Sequence, residues 1–432
     1  MTTKLLRTVV IGLLTTWFSM QAASAGGTPD WTNSLGNSIN WLSISGDGNV
    51  IFTGTFLFKQ SGNFGVYCLD KTGAIKWKDT TLTNNYTGVN WTGLSQDGQY
   101  GAAGGWYDTN SHTGFLRVYQ TSGGALLTDD RPPGRVEGIA VSSNGVWTAS
   151  CSKDLRLYQV RTIRLPIFQK KPVLPAPFSW RWYPWPIWRL YTYCVTTSTN
   201  RTSGEQFHSV AMSQDGHWIV AGGSGPNDTG GKVRLFENQQ GTLNLVQTWY
   251  TNLASIYYIQ SLDMTPDGNW FAACFDGKML MFNRTNFAAT GQPSWGYSVN
   301  GSGKSVWTVR VSTNGAVVAA ASNGLNAGGK GVCLVKNLAG VGGSYSPQLL
   351  WSSQTTSTPN PGLSMDANAK YVVVADGYPP GQAAHFYLLN ATNGAQIWNY
   401  QTPNMNWPIA ISSDGKSIAG GGDNGVIYHW KN

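Results

Sequence analysis

The segment Met212-Ser213-Gln214-Asp215-Gly216 places an Asp-Gly pair between two apolar runs, and variants of it recur throughout the chain. An Asp-Gly or Asn-Gly pair supplies the positive φ angles of a tight turn, so each copy predicts a β-hairpin. The seventh copy, Met365-Asp366-Ala367-Asn368-Ala369, lacks the glycine. The eight copies lie at residues 44–48, 94–98, 141–145, 212–216, 264–268, 311–315, 365–369 and 411–415.

The spacing of these turns defines a repeat. Successive turn Asp or Asn residues are 50, 47, 71, 52, 47, 54 and 46 residues apart, so all but the third interval fit a unit near 50. Each unit continues with a third strand, and in most units a fourth strand follows that carries a tryptophan: Trp77, Trp249, Trp295, Trp351 or Trp398. One four-stranded unit cannot bury both faces of its sheet, whereas radially packed units can. The pattern therefore predicts an all-β fold, an eight-bladed β-propeller of four-stranded blades, with seven blades as the alternative if the seventh copy is a loop.

The two ends of the chain complement each other. The last unit stops after its third strand at residues 430–432, while residues 30–35 resemble a fourth strand with no hairpin before it. Pairing these segments would remove an open sheet edge. We therefore predict that an N-terminal strand pairs with the last blade and closes the ring.

Composition limits the class of protein. The 432 residues include 53 Gly and 20 Trp, and only 12% are charged, which excludes intrinsic disorder. Residues 1–25 have the basic start, apolar run and small-residue end of a secretory signal peptide, so residues 26–432 are predicted to form one domain, secreted or periplasmic. No later stretch has the roughly 18 uninterrupted apolar residues of a spanning helix. The five cysteines form no CxxC motif and are predicted to be buried thiols, at least one of them unpaired.

Two families of repeats resemble this pattern. The hairpins with aromatic strand ends resemble WD40 repeats, although Leu69-Asp70, Tyr119-Gln120, Phe236-Glu237 and Trp430-Lys431 replace the Trp-Asp pair of that family. Residues 69–77 and 389–398 are similar to the PQQ-like repeat, whose tryptophan docks neighbouring blades. A quinoprotein dehydrogenase of that family would imply a catalytic Asp, a calcium site and an adjacent Cys-Cys pair, and this chain has no such pair. We expect no cofactor, no metal and no catalytic residues, and we assign the tryptophans to packing between blades.

A candidate binding site lies where each chain segment enters its innermost strand, seven residues before the turn Asp or Asn. Apart from Pro361, the residues at this position can all form hydrogen bonds, which predicts a polar rim at the mouth of the central channel. Glu137 and His208 come from successive units and could hold a polar ligand, but two ligands are too few for a metal site. The predicted rim consists of Asn40, Asn90, Glu137, His208, Gln260, Trp307 and Trp407.

Asp263 and Arg310 occupy the same position, four residues before the turn, in successive units, where the other units have Ser, Gly or Ala. An unpaired buried ion is costly, so we predict a structural salt bridge between them.

The 71-residue interval contains an insertion at about residues 161–201 with seven basic residues and no acidic one. Trp, Arg and Pro interleaved in this way suit the boundary between water and an apolar or anionic surface, and the composition resembles that of Trp/Pro/Arg-rich membrane-active peptides. The alternative is that the aromatic side chains fold back over a blade edge. The predicted docking residues are Trp180, Arg181, Trp182, Trp185, Trp188 and Arg189.

The sequence therefore predicts an exported binding or scaffolding propeller without catalysis. Its expected partners are a protein or an anionic envelope or glycan surface, with peripheral membrane contact through residues 161–201. Nucleic acid is not expected, because the excess of basic residues after removal of the leader is only six. The alternatives are a glycan-binding or glycan-cleaving propeller, which would need paired carboxylates at one rim, and a PQQ-dependent dehydrogenase.

Overall fold

The computed structural model describes residues 27–108, 113–167, 187–202, 204–225, 230–251, 258–299 and 305–432. The predicted signal peptide, residues 1–25, lies outside them. Almost all regular structure in the described chain is β-strand, as the repeat predicts. Within these ranges, no helix has both the length and the apolar character needed to cross a bilayer.

The described strands form seven antiparallel sheets, of which six have four strands and one has six. We call the four-stranded sheets blades. The six-stranded sheet contains β2 (Ser38–Ile44), β3 (Val50–Asp70), β4 (Ile75–Leu94), β5 (Tyr100–Asp108), β6 (Thr113–Gln120) and β7 (Ala125–Asp130). Five blades follow along the chain: β8 (Gly138–Val141), β9 (Trp147–Cys151), β10 (Leu155–Ile167) and β11 (Ile187–Asn200); β12 (Gln206–Met212), β13 (Trp218–Ser224), β14 (Gly231–Gln239) and β15 (Thr242–Tyr250); β16 (Leu262–Met264), β17 (Trp270–Phe275), β18 (Lys278–Asn283) and β19 (Trp295–Ser298); β20 (Val306–Val311), β21 (Val317–Ser322), β22 (Gly331–Ala339) and β23 (Tyr345–Gln354); β24 (Thr358–Met365), β25 (Tyr371–Tyr378), β26 (Ala384–Asn390) and β27 (Gln396–Thr402). The sixth blade combines β1 (Trp31–Ser34) with β28 (Asn406–Ile411), β29 (Ser417–Gly422) and β30 (Val426–Lys431).

The prediction of eight four-stranded blades is wrong, and so is the alternative of seven, because the described strands form six blades and a six-stranded sheet. The difference arises at residues 38–130, where the first two sequence units share one sheet. Strands β3 and β4 each run through a point where we expected one strand to end and another to begin, and their pairing continues through register shifts from Leu69↔Ile75 to Phe56↔Gly88. Turn residues mark where a chain reverses, but they do not show whether hydrogen bonding stops between two units.

The closure of the ring is present as predicted. Strand β1 pairs antiparallel with β30, from Trp31↔His429 to Ser34↔Val426. The ring of Trp31 stacks on that of His429 with centroids 4.9 Å apart, and the indole N–H of Trp430 donates to the carbonyl of Gly27. The N-terminal strand therefore covers what would otherwise be an open edge of the last blade.

The Ser-x-Asp-Gly turns have one recurring hydrogen-bond pattern. In the first, the Ser45 hydroxyl donates to Asp47 Oδ1 at 2.6 Å and accepts the Val50 backbone N–H at 3.0 Å, and Gly48 has φ +70°. In the seventh, Asp366 stands in the serine position and its carboxylate accepts the Tyr371 N–H directly. The pattern of the first turn recurs around Asp97, Asn144, Asp215, Asp267, Asn314 and Asp414.

Neighbouring turns are hydrogen-bonded to one another around the axis. The bond from Ser413 N–H to the Gly46 carbonyl, at 2.9 Å, joins the turn nearest the C-terminus to the one nearest the N-terminus. Pro266 accepts a bond from Gln214 N–H but has no N–H to pass on to the next turn. Other turn-to-turn bonds in the described chain are Gly46 N–H to Gln96 O, Asp97 N–H to Ser143 O, Ser143 N–H to Gln214 O, Thr313 Oγ1–H to Ala367 O, Ala367 N–H to Ser413 O and Ser413 Oγ–H to Gln96 Oε1.

The hydrophobic core lies between neighbouring sequence units rather than at one centre. Each cluster of buried residues combines side chains of two adjacent units; one of them, for example, packs Phe271 and Phe282 against Val220 and Leu235 of the preceding blade. Tryptophans of outer strands reach into the neighbouring unit, as predicted for inter-blade packing. The Trp77 N–H donates to Thr121 O at 2.6 Å.

Two short elements in the described chain depart from the all-strand prediction. Helix α1 (Arg284–Thr290) connects β18 to β19, and a 3-10 turn spans Val341–Gly343. Asn283 caps α1 through its side chain, and Gly291 ends it with φ +67°. Such a short helix leaves no periodic apolar signal that could be read from the sequence.

The seventh turn provides a stability test. Ala369 has φ +51° at the place where the other turns have glycine, a conformation that costs an alanine more than a glycine. We expect Ala369→Gly to raise the free energy of unfolding by about 1 kcal/mol, measured by urea denaturation. As a matched control, Gly415→Ala in the next turn, at φ +74°, should lower it. A change of the same sign in both variants would contradict this account.

Candidate functional site

The seven predicted rim residues all line one cavity, of about 750 Å³, at the end of the innermost strands opposite the turns. We call it the channel cavity. Pro361, the eighth residue of the series, also lines it. The volume falls within the roughly 300–1,000 Å³ of typical small-ligand sites. The structure thus brings together residues that lie up to 367 positions apart in the chain, from Asn40 to Trp407.

β-Bulges in the innermost strands orient several of these side chains. In the innermost strands the pairing register shifts between Ile39 and Trp41, so Asn40 has no partner in the ladder. A residue left out of the ladder by a β-bulge can turn its side chain away from the sheet, and bulges are frequent next to binding sites. The same shift leaves Asn90, His208, Trp307 and Trp407 unpaired.

Glu137 is the centre of the polar side of the channel cavity. Arg135 donates to both of its carboxylate oxygens, at 2.9 and 3.0 Å, and Gln206 donates at 3.3 Å. The His208 ring nitrogen Nδ1 lies 3.8 Å from Glu137 Oε2. Although burial opposes it, His208 and Arg135 together hold the pKa of Glu137 below its usual value. Glu137 and His208 therefore lie close together, as the sequence suggested, but the carboxylate of Glu137 is already hydrogen-bonded to Arg135.

Aromatic rings form the other walls. Trp41 and Trp91 stack with centroids 3.5 Å apart and planes 18° from parallel, and Tyr258 stacks on His208 at 3.9 Å. Trp307 and Tyr378 lie 6.0 Å apart. Our prediction missed Trp41, Trp91, Tyr258 and Tyr378. A signal for the first two was present, because each follows a predicted rim asparagine in the same Asn-Trp pair.

The remaining rim residues differ in how their polar groups are satisfied. The indole N–H of Trp407 donates to Asp423 Oδ1 at 2.7 Å, and burial raises the pKa of Asp423. Asn40 donates to the backbone and side-chain oxygens of Asn90. The indole N–H of Trp307 is buried and has no hydrogen-bond partner in the part of the chain that the structure describes.

Asp263 and Arg310 lie on neighbouring innermost strands, β16 and β20. The Asp263 carboxylate accepts the Val311 backbone N–H, and the Arg310 guanidinium donates to the Val309 carbonyl, both at 2.8 Å. Burial raises the pKa of Asp263 and lowers that of Arg310, while the attraction between the two charges opposes both shifts. The charges interact, and a direct salt bridge between the two side chains stays a prediction.

The described part of the insertion is a two-stranded ribbon. Strand β9 pairs with β10 as far as Gln159, and beyond it β10 and β11 pair with each other out to Ile167↔Ile187. Of the predicted docking residues, Trp188 and Arg189 lie in β11, and Arg189 is exposed. The others, Trp180, Arg181, Trp182 and Trp185, lie outside the described residues.

The five cysteines, Cys68, Cys151, Cys194, Cys274 and Cys333, are all free and buried, which confirms the prediction of buried thiols. Burial raises the pKa of Cys68 to about 11 and that of Cys274 to about 12, so neither is a thiolate at neutral pH. Among the described residues, no group of three or more His, Cys, Asp and Glu side chains is arranged to hold a metal ion.

No protein-family model and no curated protein sequence matches the chain. Among solved structures, it is similar to the β-propeller domain of Cps50 (Swd1) from Myceliophteria thermophila, with a TM-score of 0.55 and 10% sequence identity over 94% of this chain and 99% of that one. At this identity the likeness shows the fold alone. The chain is therefore a β-propeller, as the resemblance to WD40 repeats implied, and the PQQ-like repeat stays a prediction.

Glu137 and Asp423 should have opposite effects on the pH dependence of stability. The pKa of Glu137 lies below its usual 4.5, so the stabilisation from its ionisation is lost as the pH falls through that region. The pKa of Asp423 lies above its usual 3.8, so its ionisation costs stability at neutral pH, and this cost disappears in acid. We expect Glu137→Gln to destabilise at pH 7 and less so at pH 3, and Asp423→Asn to stabilise at pH 7 and less so at pH 3. Urea denaturation across this range measures both, and profiles parallel to the wild type would contradict the assignment.

Proposed function

We propose that the protein is an exported, non-catalytic binding propeller that holds its ligand in the channel cavity. The observation that carries this proposal is that bulges in separate innermost strands turn side chains from distant parts of the chain into one cavity. A concave site with aromatic walls and a few convergent polar groups is the common form of a small-ligand site. Export rests on the predicted signal peptide.

The chemistry of the channel cavity supports binding over catalysis. The carboxylate of Glu137 accepts three hydrogen bonds from Arg135, which lowers its basicity. Covalent catalysis needs a nucleophile within hydrogen-bond reach of a base. Among the described residues that line the channel cavity there is no cysteine. The hydroxyls of Ser38 and Thr308 donate to backbone carbonyls, and that of Ser261 accepts the Val309 N–H.

Glycan cleavage is the second candidate function. Two carboxylates, Glu137 and Asp423, line the channel cavity, and their pKa values are shifted in opposite directions. A proton donor with a raised pKa opposite an ionised carboxylate is the arrangement that glycosidases use.

The ribbon is a second contact surface within the same proposal. The basic ribbon comprises residues 161–167 and 187–193. It exposes Ile163, Leu165, Leu190 and Tyr191 to solvent, with Leu190 70% exposed. Arg161, Arg164 and Arg189 are also exposed on it, and residues 161–201 contain no acidic side chain. Apolar and basic groups together favour an anionic lipid surface, where they provide both burial and charge attraction. We therefore propose that the basic ribbon attaches the propeller to an anionic membrane of the envelope.

The cavity proposal can be tested by thermal shift with a set of probes: neutral oligosaccharides, choline, inorganic phosphate and short peptides. We expect at least one class to raise the melting temperature of the wild type, because binding to the native state stabilises it. Gln260→Trp, which fills part of the channel cavity, should abolish the shift. Gln348→Trp, on the exposed face of the outer strand β23, is the matched control and should keep it. Shifts that are absent from the wild type, or equal in all three proteins, would overturn the proposal.

The membrane proposal can be tested by sedimentation with vesicles of phosphatidylglycerol and phosphatidylcholine. The triple variant Arg161→Gln, Arg164→Gln, Arg189→Gln should lose most of its binding, and wild-type binding should weaken as salt rises. The control triple Lys71→Gln, Lys76→Gln, Lys78→Gln removes the same charge from another exposed surface and should bind like the wild type. An equal loss of vesicle binding in both triple variants would mean that net charge alone drives binding, and it would reject a specific role for the basic ribbon.

A further inference from the structure

One residue that lines the channel cavity has a buried donor that is unsatisfied within the described part of the chain. The indole N–H of Trp307 has no partner among the described residues, and leaving such a group unpaired costs about 1–3 kcal/mol. An oxygen acceptor on the ligand would restore the missing bond. A purely apolar ligand or a quaternary ammonium group has no acceptor to offer.

The aromatic walls match a ligand with flat faces of C–H bonds. Trp41 and Trp91 form a stacked pair, and the Tyr258 ring lies against that of His208. Trp307, Tyr378 and Trp407 line the remaining wall. Large rigid rings bury apolar surface at a small entropic cost, and their electron-rich faces attract the slightly positive hydrogens of a sugar ring.

Four amide side chains, Asn40, Asn90, Gln260 and Asn360, also line the channel cavity. Asn40 donates to Asn90, and Asn90 donates to the Val136 carbonyl. An amide group carries two donor hydrogens and two acceptor lone pairs, so one hydrogen bond leaves part of this capacity for a ligand. A hydroxyl group is likewise a donor and an acceptor, so amides and hydroxyls complement each other in either orientation.

The charges of the channel cavity oppose an ionic ligand. Arg135, the one arginine among the described residues that line it, already makes three hydrogen bonds to Glu137, so the pair is close to neutral. Asp423, the other carboxylate among the described lining residues, would repel a phosphate or a carboxylate. For a cation, Asp423 already accepts the Trp407 N–H, and the Trp307 donor would stay unpaired.

We infer that the channel cavity binds a neutral carbohydrate, whose ring faces stack on the aromatic walls and one of whose oxygens accepts the Trp307 N–H. This inference rests on the proposed function and names the ligand class of the same site. The volume of about 750 Å³ suits a short oligosaccharide or the end of a longer glycan.

The test is isothermal titration with neutral tri- and tetrasaccharides of glucose, xylose, mannose and N-acetylglucosamine in their common linkages. We expect at least one of them to bind the wild type. Trp307→Phe keeps a ring but removes the N–H, so it should weaken that binding about tenfold. Trp398→Phe, in the outer strand β27, makes the same exchange away from the channel cavity and should bind like the wild type. Equal affinity of Trp307→Phe and the wild type would overturn the inference.

Two further outcomes separate this inference from the proposed function. If choline, phosphate or a peptide stabilises the wild type but not Gln260→Trp, and no sugar binds, the carbohydrate inference fails while the binding function stands. If Gln260→Trp has no effect on any probe, both fail. If a bound oligosaccharide is cleaved, and Glu137→Gln and Asp423→Asn stop the cleavage, the carbohydrate class is supported and the second candidate function replaces the first.

Discussion

The structure depends on the hydrogen-bonded ring of turns around its axis. Each turn uses a hydroxyl or carboxylate to hold its own shape, and all but the turn of Pro266 use a backbone N–H or hydroxyl to reach the next turn. Because the turns cap the innermost strands, holding them together fixes where those strands lie around the axis. The bond from Ser413 to Gly46 and the pairing of β1 with β30 then join the two ends of the chain, at opposite margins of the same blade.

At the end of the innermost strands opposite the turns, β-bulges interrupt the regular pairing and form the channel cavity. A strand that continued its pairing without a shift would alternate its side chains between the two faces of the sheet. The bulges at Asn40, Asn90, His208, Trp307 and Trp407 interrupt this alternation at equivalent places in their strands. The repeated fold thus forms a common cavity, while the residue type at each bulge sets its chemistry. Arg135 and Asp423 add charge to the lining from positions outside that series.

The periodicity of the sequence predicted the local elements of the fold better than the pairing between repeat units. It correctly placed the turns and the closing strand, and the seven rim residues that it selected line one cavity, whose role in binding stays a prediction. It failed over the number of blades, because β3 and β4 carry hydrogen bonds past the points where one unit was expected to end. It also missed Trp41, Trp91, Tyr258 and Tyr378, since proximity to the cavity depends on contacts between units and on the direction that a bulge imposes.

Local chemistry was therefore readable from residue order alone: Asp-Gly and Asn-Gly pairs require turns, apolar alternation requires strands, and a regular interval requires equivalent units. Only the folded chain shows that Arg135 pairs with Glu137 and that Trp407 donates to Asp423. The same holds for the Trp307 N–H, which has no partner among the described residues. Turns and strands depend on neighbours along the chain, whereas hydrogen-bond partners and cavity walls depend on distances between residues tens to hundreds of positions apart.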